Sequence, residues 1–189
     1  MDIRQKILDK AFEEIHKNGY ESASINKILK DVGVNKGSMY HYFKSKRELT
    51  LTMIKENLNN YIEEKYGVIL KVEENHIQEI LKVFRKSSSQ GVCNGCRLNN
   101  LVQELSHRDN DFKDELEKIY IRFENIIEEA IVKAIENKEI SHPNPKRLSI
   151  YLVASLEGCV ATAKKSQDFT IYNECIDEIE NYLNSLKAL

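Results

Sequence analysis

"VNKGSMYHYFKSKREL", residues 34–49, sets two tyrosines, a histidine and a phenylalanine among four lysines and arginines. Buried aromatics seldom come interleaved with so much positive charge, so the stretch reads as a helix with two unlike faces. Asn35 is placed to cap a helix over residues 36–42. Met39 and Phe43, four apart, turn together toward a core. Lys36, Gly37, Ser38, Tyr40 and His41 fall on or near the outer side. That side suits a polyanion: lysines and hydroxyls meet phosphate oxygens, Gly37 lets the backbone come close to a base edge, and the helix N-terminus adds partial positive charge.

Upstream, Ile3, Ile7, Leu8, Ala11, Phe12 and Ile15 recur at spacings of three and four, one helical stripe that Asn18 and Gly19 stop. Ser24 is placed to cap a short second helix carrying Ile25, Ile28 and Leu29, which Gly33 ends. A short helix, a glycine turn and another short helix make a helix-turn-helix, and a DNA major groove admits one helix whose first turns reach phosphates and base edges. Downstream, Ser45 and Glu48 of "SKRE" have capping-box spacing. They start a longer helix through Met53, Leu58 and Tyr61, with Gly67 near its end. Tyr42 has two readings, packing on the first helix or facing outward. Lys44 and Arg47 read as a solvated face.

Charge supports a polyanion partner for this end. Residues 1–47 hold ten Lys/Arg against six Asp/Glu, whereas the remainder holds 18 against 24; a basic head on an acidic body directs only the head to nucleic acid. With only two prolines and seven glycines in 189 residues, helix breakers are scarce, and the fold class is all-α with about nine helices. No apolar run approaches the ~20 residues that span a bilayer, and the amphipathic N-terminus is no signal peptide. The expectation is a cytoplasmic protein with no membrane partner, whose four cysteines stay reduced.

Beyond the head, "HIQEILKVFRKS" is amphipathic, "SSSQGVCNG" reads as a loop, and a short helix follows from Cys96 to about Ser106. A long helix runs from Asp109 or Asn110 to about Asn137. Asn144 caps another, with Pro145 at its first position, and Thr170 is placed to cap the last, ending near Leu186. The final two helices carry broad apolar faces: Tyr151, Leu152, Ser155, Leu156 and Cys159 on one, Tyr172, Cys175, Ile176, Ile179 and Leu183 on the other. Such faces suit a helical interface between two copies, or the closing of the protomer's own core. Phe84, Leu101, Tyr120, Phe123 and Ile127 are candidates to line a ligand pocket, and equally plain core. Cys93 and Cys96 form a C-x-x-C without a second ligand pair, so no metal site is read. With Asn94 as cap, Cys96 falls in a helix's first turn beside Arg97, which favours a thiolate; the alternative is a small buried residue. No nucleophile-and-base set, phosphate loop or cofactor motif is present, so no catalytic residue and no cofactor is assigned.

Residues 3–50 resemble the TetR family of bacterial transcriptional regulators: an amphipathic first helix with "A-F-x-x-I", then "N-G-Y" before a small-residue cap, "I-x-x-I-L-K-D-V-G-V", and "K-G-S-M-Y-H-Y-F-K-S-K". The resemblance implies a DNA-binding domain over 1–47, with a linking helix from 45, and a ligand-binding and dimerisation domain over 48–189. It implies that Lys36 and Gly37 approach bases, that Ser24, Tyr40, His41 and Lys46 meet phosphates, and that the last two helices pair two copies into a homodimer on a palindromic double-stranded DNA operator. It further implies a repressor released by a small-molecule inducer. The segment "G-C-x4-L-x2-E-L-S" resembles one in a subgroup that includes electrophile-responsive repressors, which gives the alternative of thiol sensing through Cys96, with Cys96 also a pocket candidate. A DNA-binding protein that senses nothing, or an enzyme, stands behind both.

Overall fold

With only Pro143 and Pro145 to interrupt it, the backbone is free to close helices almost throughout. The computed structural model describes residues 2–187. Among them it is all-α, apart from turns and one isolated bridge between Ile140 and Lys187. The helices pack into two units that interleave along the chain: residues 2–61 with 97–119, and residues 62–96 with 120–187.

The first unit opens with α1 (Ile3–Ser22), which buries Ile7, Leu8, Ala11 and Ile15 as its spacing requires. Gly19, at φ 78° and ψ 165°, breaks the helix without ending it; the expected stop is a kink followed by one more turn. Then come α2 (Ile25–Val32), α3 (Lys36–Tyr42) and α4 (Lys46–Met53). Each starts at a capping side chain: Ser24 Oγ accepts from Lys27 N at 3.3 Å, Asn35 Oδ1 from Ser38 N at 2.9 Å, and Ser45 Oγ from Glu48 N at 3.1 Å. Glu48 reaches back to accept from Lys44 N at 2.9 Å, a variant of the capping box displaced by one residue. Gly33, at φ 78° and ψ 31°, takes the left-handed turn between α2 and α3 that a side chain would disfavour. A wide π turn, Ile54–Leu58, joins α4 to α5 (Asn59–Tyr66). The unit is completed by α8 (Arg97–Leu105) and the first turns of α9 (Asn110–Glu136), which supply buried Leu98, Leu101, Leu105, Phe112 and Leu116.

The second unit holds the end of α5, a 3-10 turn (Gly67–Lys71), α6 (His76–Arg85), α7 (Ser89–Asn94), the remainder of α9, α10 (Pro145–Ser166) and α11 (Phe169–Ser185). Tyr66 meets Phe123 at 4.0 Å between ring centroids, and Tyr172 donates its hydroxyl to Phe84 O in the interior. Helix α7 lies where the sequence reads as a loop. Ser88 caps it by accepting from Gly91 N at 3.1 Å, and buried Val92 anchors it, so tertiary burial overrides weak local propensity.

Candidate nucleic-acid interface

The two faces read from residues 34–49 are both present. Met39 and Phe43 are each 1% exposed; Lys36, Gly37 and His41 are exposed, Ser38 is half-buried, and Tyr40 is 57% exposed, the most exposed large hydrophobic residue described. Tyr42 is half-buried and packs edge-on to His41 at 5.0 Å and beside Phe43 at 6.4 Å. Ser24 is also half-buried, its hydroxyl engaged in capping α2.

Lys46 is more constrained than its type suggests. Its ammonium donates to Glu21 O at 3.0 Å and Ala23 O at 2.7 Å and sits 4.9 Å from the Tyr20 ring centroid. It thereby ties the start of α4 to the turn ahead of α2. Arg47 is exposed, as a solvated face requires, but it is not unengaged: it bonds Asp109 in bidentate fashion at 2.6 and 2.9 Å and Asp111 at 2.6 Å, and lies over the Phe112 ring. The cause is the N-terminus of α9, where Asp109 caps through Asp111 N at 2.9 Å and so presents its carboxylate to the guanidinium. Hydrogen bonding to Arg47 holds Asp109 below the usual carboxylate range.

Sequence reasoning missed the residues that support this head from behind. Glu104 of α8 accepts from Tyr20 N at 2.8 Å and Glu21 N at 2.9 Å, N–H groups orphaned by the break at Gly19. Arg108 pairs with Glu21. Arg97 donates to Phe12 O at 3.1 Å and stacks over Phe12 and Tyr61, 4.4 and 5.6 Å from their centroids. Within α1, Glu14 is 6% exposed yet ionised: burial pushes its pKa up, but Lys27 and the Ser24 N–H outweigh it and hold it below the ordinary value. The "E-L" of the quoted segment therefore includes a backbone cap for α1, a role only a contact 84 residues away reveals.

The pocket candidates divide. Leu101 belongs to the first unit; Phe84, Cys96, Tyr120, Phe123 and Ile127 belong to the second. Phe84, Phe123 and Ile127 are fully buried, whereas Tyr120 and Cys96 are half-buried. Burial, with the charges of Glu157, Cys96 and Glu124 nearby, drives the Tyr120 phenol far above its ordinary value. Cys96 lies one residue ahead of α8, not in its first turn: Asn94 ends α7 and Gly95, at φ 90°, turns the chain before Arg97 starts the helix. Of the residues on the two C-terminal faces, Leu152, Leu156, Cys159, Tyr172, Ile176, Ile179 and Leu183 are buried within one protomer. Ser155 and Cys175 are half-buried, and Tyr151 is 50% exposed.

Among the described residues no helix is long and apolar enough to cross a membrane, and no cluster of three or more His, Cys, Asp or Glu is placed to hold a metal. Comparison with known proteins assigns both parts of the chain. Residues 7–53 match the family described as bacterial regulatory proteins, tetR family, and residues 74–179 match the tetracyclin repressor-like C-terminal domain. An uncharacterised HTH-type transcriptional regulator in the lacX 3' region of Lactococcus lactis is 29% identical over 93% of this chain and 90% of its own. The fatty acid metabolism regulator protein of Bacillus subtilis is 27% identical over 78% and 76%. In fold, the reduced form of Escherichia coli NemR superposes with a TM-score of 0.83 at 22% identity, covering 96% of this chain and 98% of that one. A TetR regulator from Chloroflexus aurantiacus gives 0.86 at 22% identity, covering 99% and 96%. With a helix-turn-helix head and an all-helical body each matched by its own family model, the chain belongs to the TetR family of DNA-binding bacterial transcriptional regulators.

Proposed function

We propose that the chain is a repressor that binds a palindromic operator as a homodimer and lets go of it when a small molecule enters the body. The observation that carries the DNA reading is α3 itself. Its inner side is closed by Met39 and Phe43, while Lys36, Gly37, Tyr40 and His41 stand exposed. Lys36 and Gly37, in the first turn, are the base-reading pair; Ser24, Ser38, Tyr40 and His41 meet phosphates. Two of the three ammonium donors of Lys46 serve Glu21 O and Ala23 O, and the third is directed to a phosphate. The DNA-binding domain on this reading is residues 1–47, and residues 48–189 sense and dimerise.

Dimerisation is supported by α10, where Ile150 and Tyr151 are 42% and 50% exposed on a side that continues through Ala154, Gly158 and Ala161. Large apolar residues beside small ones let a second helix approach closely. The inducer is read as an apolar molecule with a hydrogen-bonding group, held near Phe84, Phe123, Ile127 and the Tyr120 hydroxyl. Release follows when the separation of two paired recognition helices no longer matches successive major grooves. The experiment is selection of bound duplexes from a random library by the purified protein and by Lys36→Ala. The expected result is a palindrome with half-sites about 10 bp apart or a multiple of it, whose preference relaxes in the variant. Recovery of no common sequence overturns the reading.

A second reading, release by oxidation or alkylation of Cys96, draws on its place one residue ahead of α8, whose Arg97 and Glu104 bind α1. Cys96→Ser separates the two: under the inducer reading it keeps a full response, and under the thiol reading it loses it.

A further inference from the structure

Cys159 and Cys175 stand apart in sequence and meet in space. They belong to α10 and α11, which Gln167 and Asp168 join into an antiparallel hairpin. The register of that hairpin is fixed by Tyr151 and Tyr182, whose rings meet edge to face at 5.2 Å. Eight residues forward along α10 from Tyr151 is Cys159, about 12 Å of rise. Seven residues back along α11 from Tyr182 is Cys175, about 10.5 Å of rise. The two cysteines therefore fall at one level of the hairpin. Both also lie on its inner stripes: Cys159 continues the buried series Leu152, Leu156, Ala163, and Cys175 is flanked by buried Tyr172, Ile176 and Ile179. Burial, together with the neighbouring Cys175, pushes the Cys159 thiol up to about 12. The two sites are unequal: Cys159 is 5% exposed, whereas Cys175 is half-buried.

We propose that Cys159 and Cys175 are a redox pair that a hydroperoxide closes into a disulfide within one protomer, tying α10 to α11. The half-buried Cys175 is the attacking group. Its thiolate takes the terminal oxygen of the peroxide; the O–O bond breaks, and Cys175 becomes a sulfenic acid while the other oxygen leaves as water or alcohol, picking up a proton. Cys159 Sγ then attacks Cys175 Sγ, the S–O bond breaks, and the departing hydroxide takes the Cys159 proton and leaves as water. The pair loses two electrons and two protons, and the peroxide is reduced. Burial shields Cys159 from the peroxide, while its place at the same level of the hairpin keeps it beside the sulfur that it attacks in the second step. A hairpin of two helices joined by so short a turn has little freedom to separate them, so the partner stays at hand for the second step.

The test is made on the full-length protein, with hydrogen peroxide as the probe. After oxidation the remaining thiols are alkylated, and peptides are mapped without reduction. The expected product is a peptide pair joined through Cys159 and Cys175, two hydrogens lighter than the separate peptides, and reverted by dithiothreitol. The same pair forms in a Cys93→Ser/Cys96→Ser variant, while Cys159→Ser leaves Cys175 as an alkylation-resistant sulfenic or sulfinic acid. Recovery of both peptides alkylated, or of Cys175 joined to Cys93, to Cys96 or to Cys175 of a second copy, overturns the proposal. Since the mapping is done on the unsubstituted protein, the answer does not depend on how well the variants fold.

Discussion

Replacing Glu104 by glutamine tests whether α8 caps the broken end of α1. The carboxylate accepts from two backbone donors, at 2.8 and 2.9 Å. A hydrogen bond to a charged group is worth about 1.5–3 kcal/mol, and the lower end applies because Glu104 is half-buried and Glu21 exposed. Glutamine keeps one acceptor but turns its NH2 toward the second N–H, so one bond is lost and the other loses its charge. The expected loss is about 2 kcal/mol, which at ~2–4 °C per kcal/mol for a chain of this size lowers the melting midpoint by about 4–8 °C. Circular-dichroism melts of the two proteins at pH 7 measure it. Glu104→Ala, which removes both acceptors, should fall further. A Glu104→Gln protein melting within about 1 °C of the parent would falsify the capping role, since Glu104 is the acceptor that both N–H groups meet.

Lys36→Ala should weaken operator binding by about 1–3 kcal/mol in gel-shift titrations; unchanged specific binding would mean that α3 does not read bases. Tyr151→Glu should convert the dimer to monomer in sedimentation at micromolar protein, and a persistent dimer would move the interface off α10. Gly33→Ala meets no neighbouring atom within 4 Å, so its cost is the left-handed backbone alone, about 1–2 kcal/mol; a much larger loss in chemical denaturation would contradict that. Glu139 accepts from His76 N and Ile77 N at 3.0 Å each and contacts His76 Nδ1 at 3.2 Å. Burial raises its pKa, yet these bonds prevail and hold it below the ordinary value. Its contribution is therefore present above about pH 4.5 and lost as pH falls through the lower folded value. Glu139→Gln should show a smaller acid-induced loss of stability below about pH 4.5, and an unchanged acid limb would refute the assignment.

The head was legible because its signals are local. Asn35, Gly33 and Ser45 mark helix ends within a few residues of where they act, and α3 spans Lys36–Tyr42 as the caps dictate. What escaped is long-range. Nothing near Arg47 announces Asp109 and Asp111, and nothing near Glu104 announces the N–H groups of Tyr20 and Glu21. Helix α7 escaped because serines and a glycine read as loop until Val92 is seen to be buried. In α10 and α11 the apolar spacing located the faces, but one sequence does not distinguish packing within a protomer from packing between two, and Leu152, Leu156, Ile176 and Leu183 are buried before any partner arrives.

The ion pairs of the head bear on how salt governs its grip on DNA. Of the ten basic residues in 1–47, Arg4, Lys10, Lys27 and Arg47 already hold carboxylates. A cation neutralised by its own protein displaces little of the counterion atmosphere around a duplex, so the formal charge overstates the electrostatic contribution. Three lysines, Lys36, Lys44 and Lys46, surround the reading helix. Six phosphates neutralised by a pair of heads give a slope of about −5 in log affinity against log salt. A slope near twice that would mean that the internal pairs open when the duplex arrives.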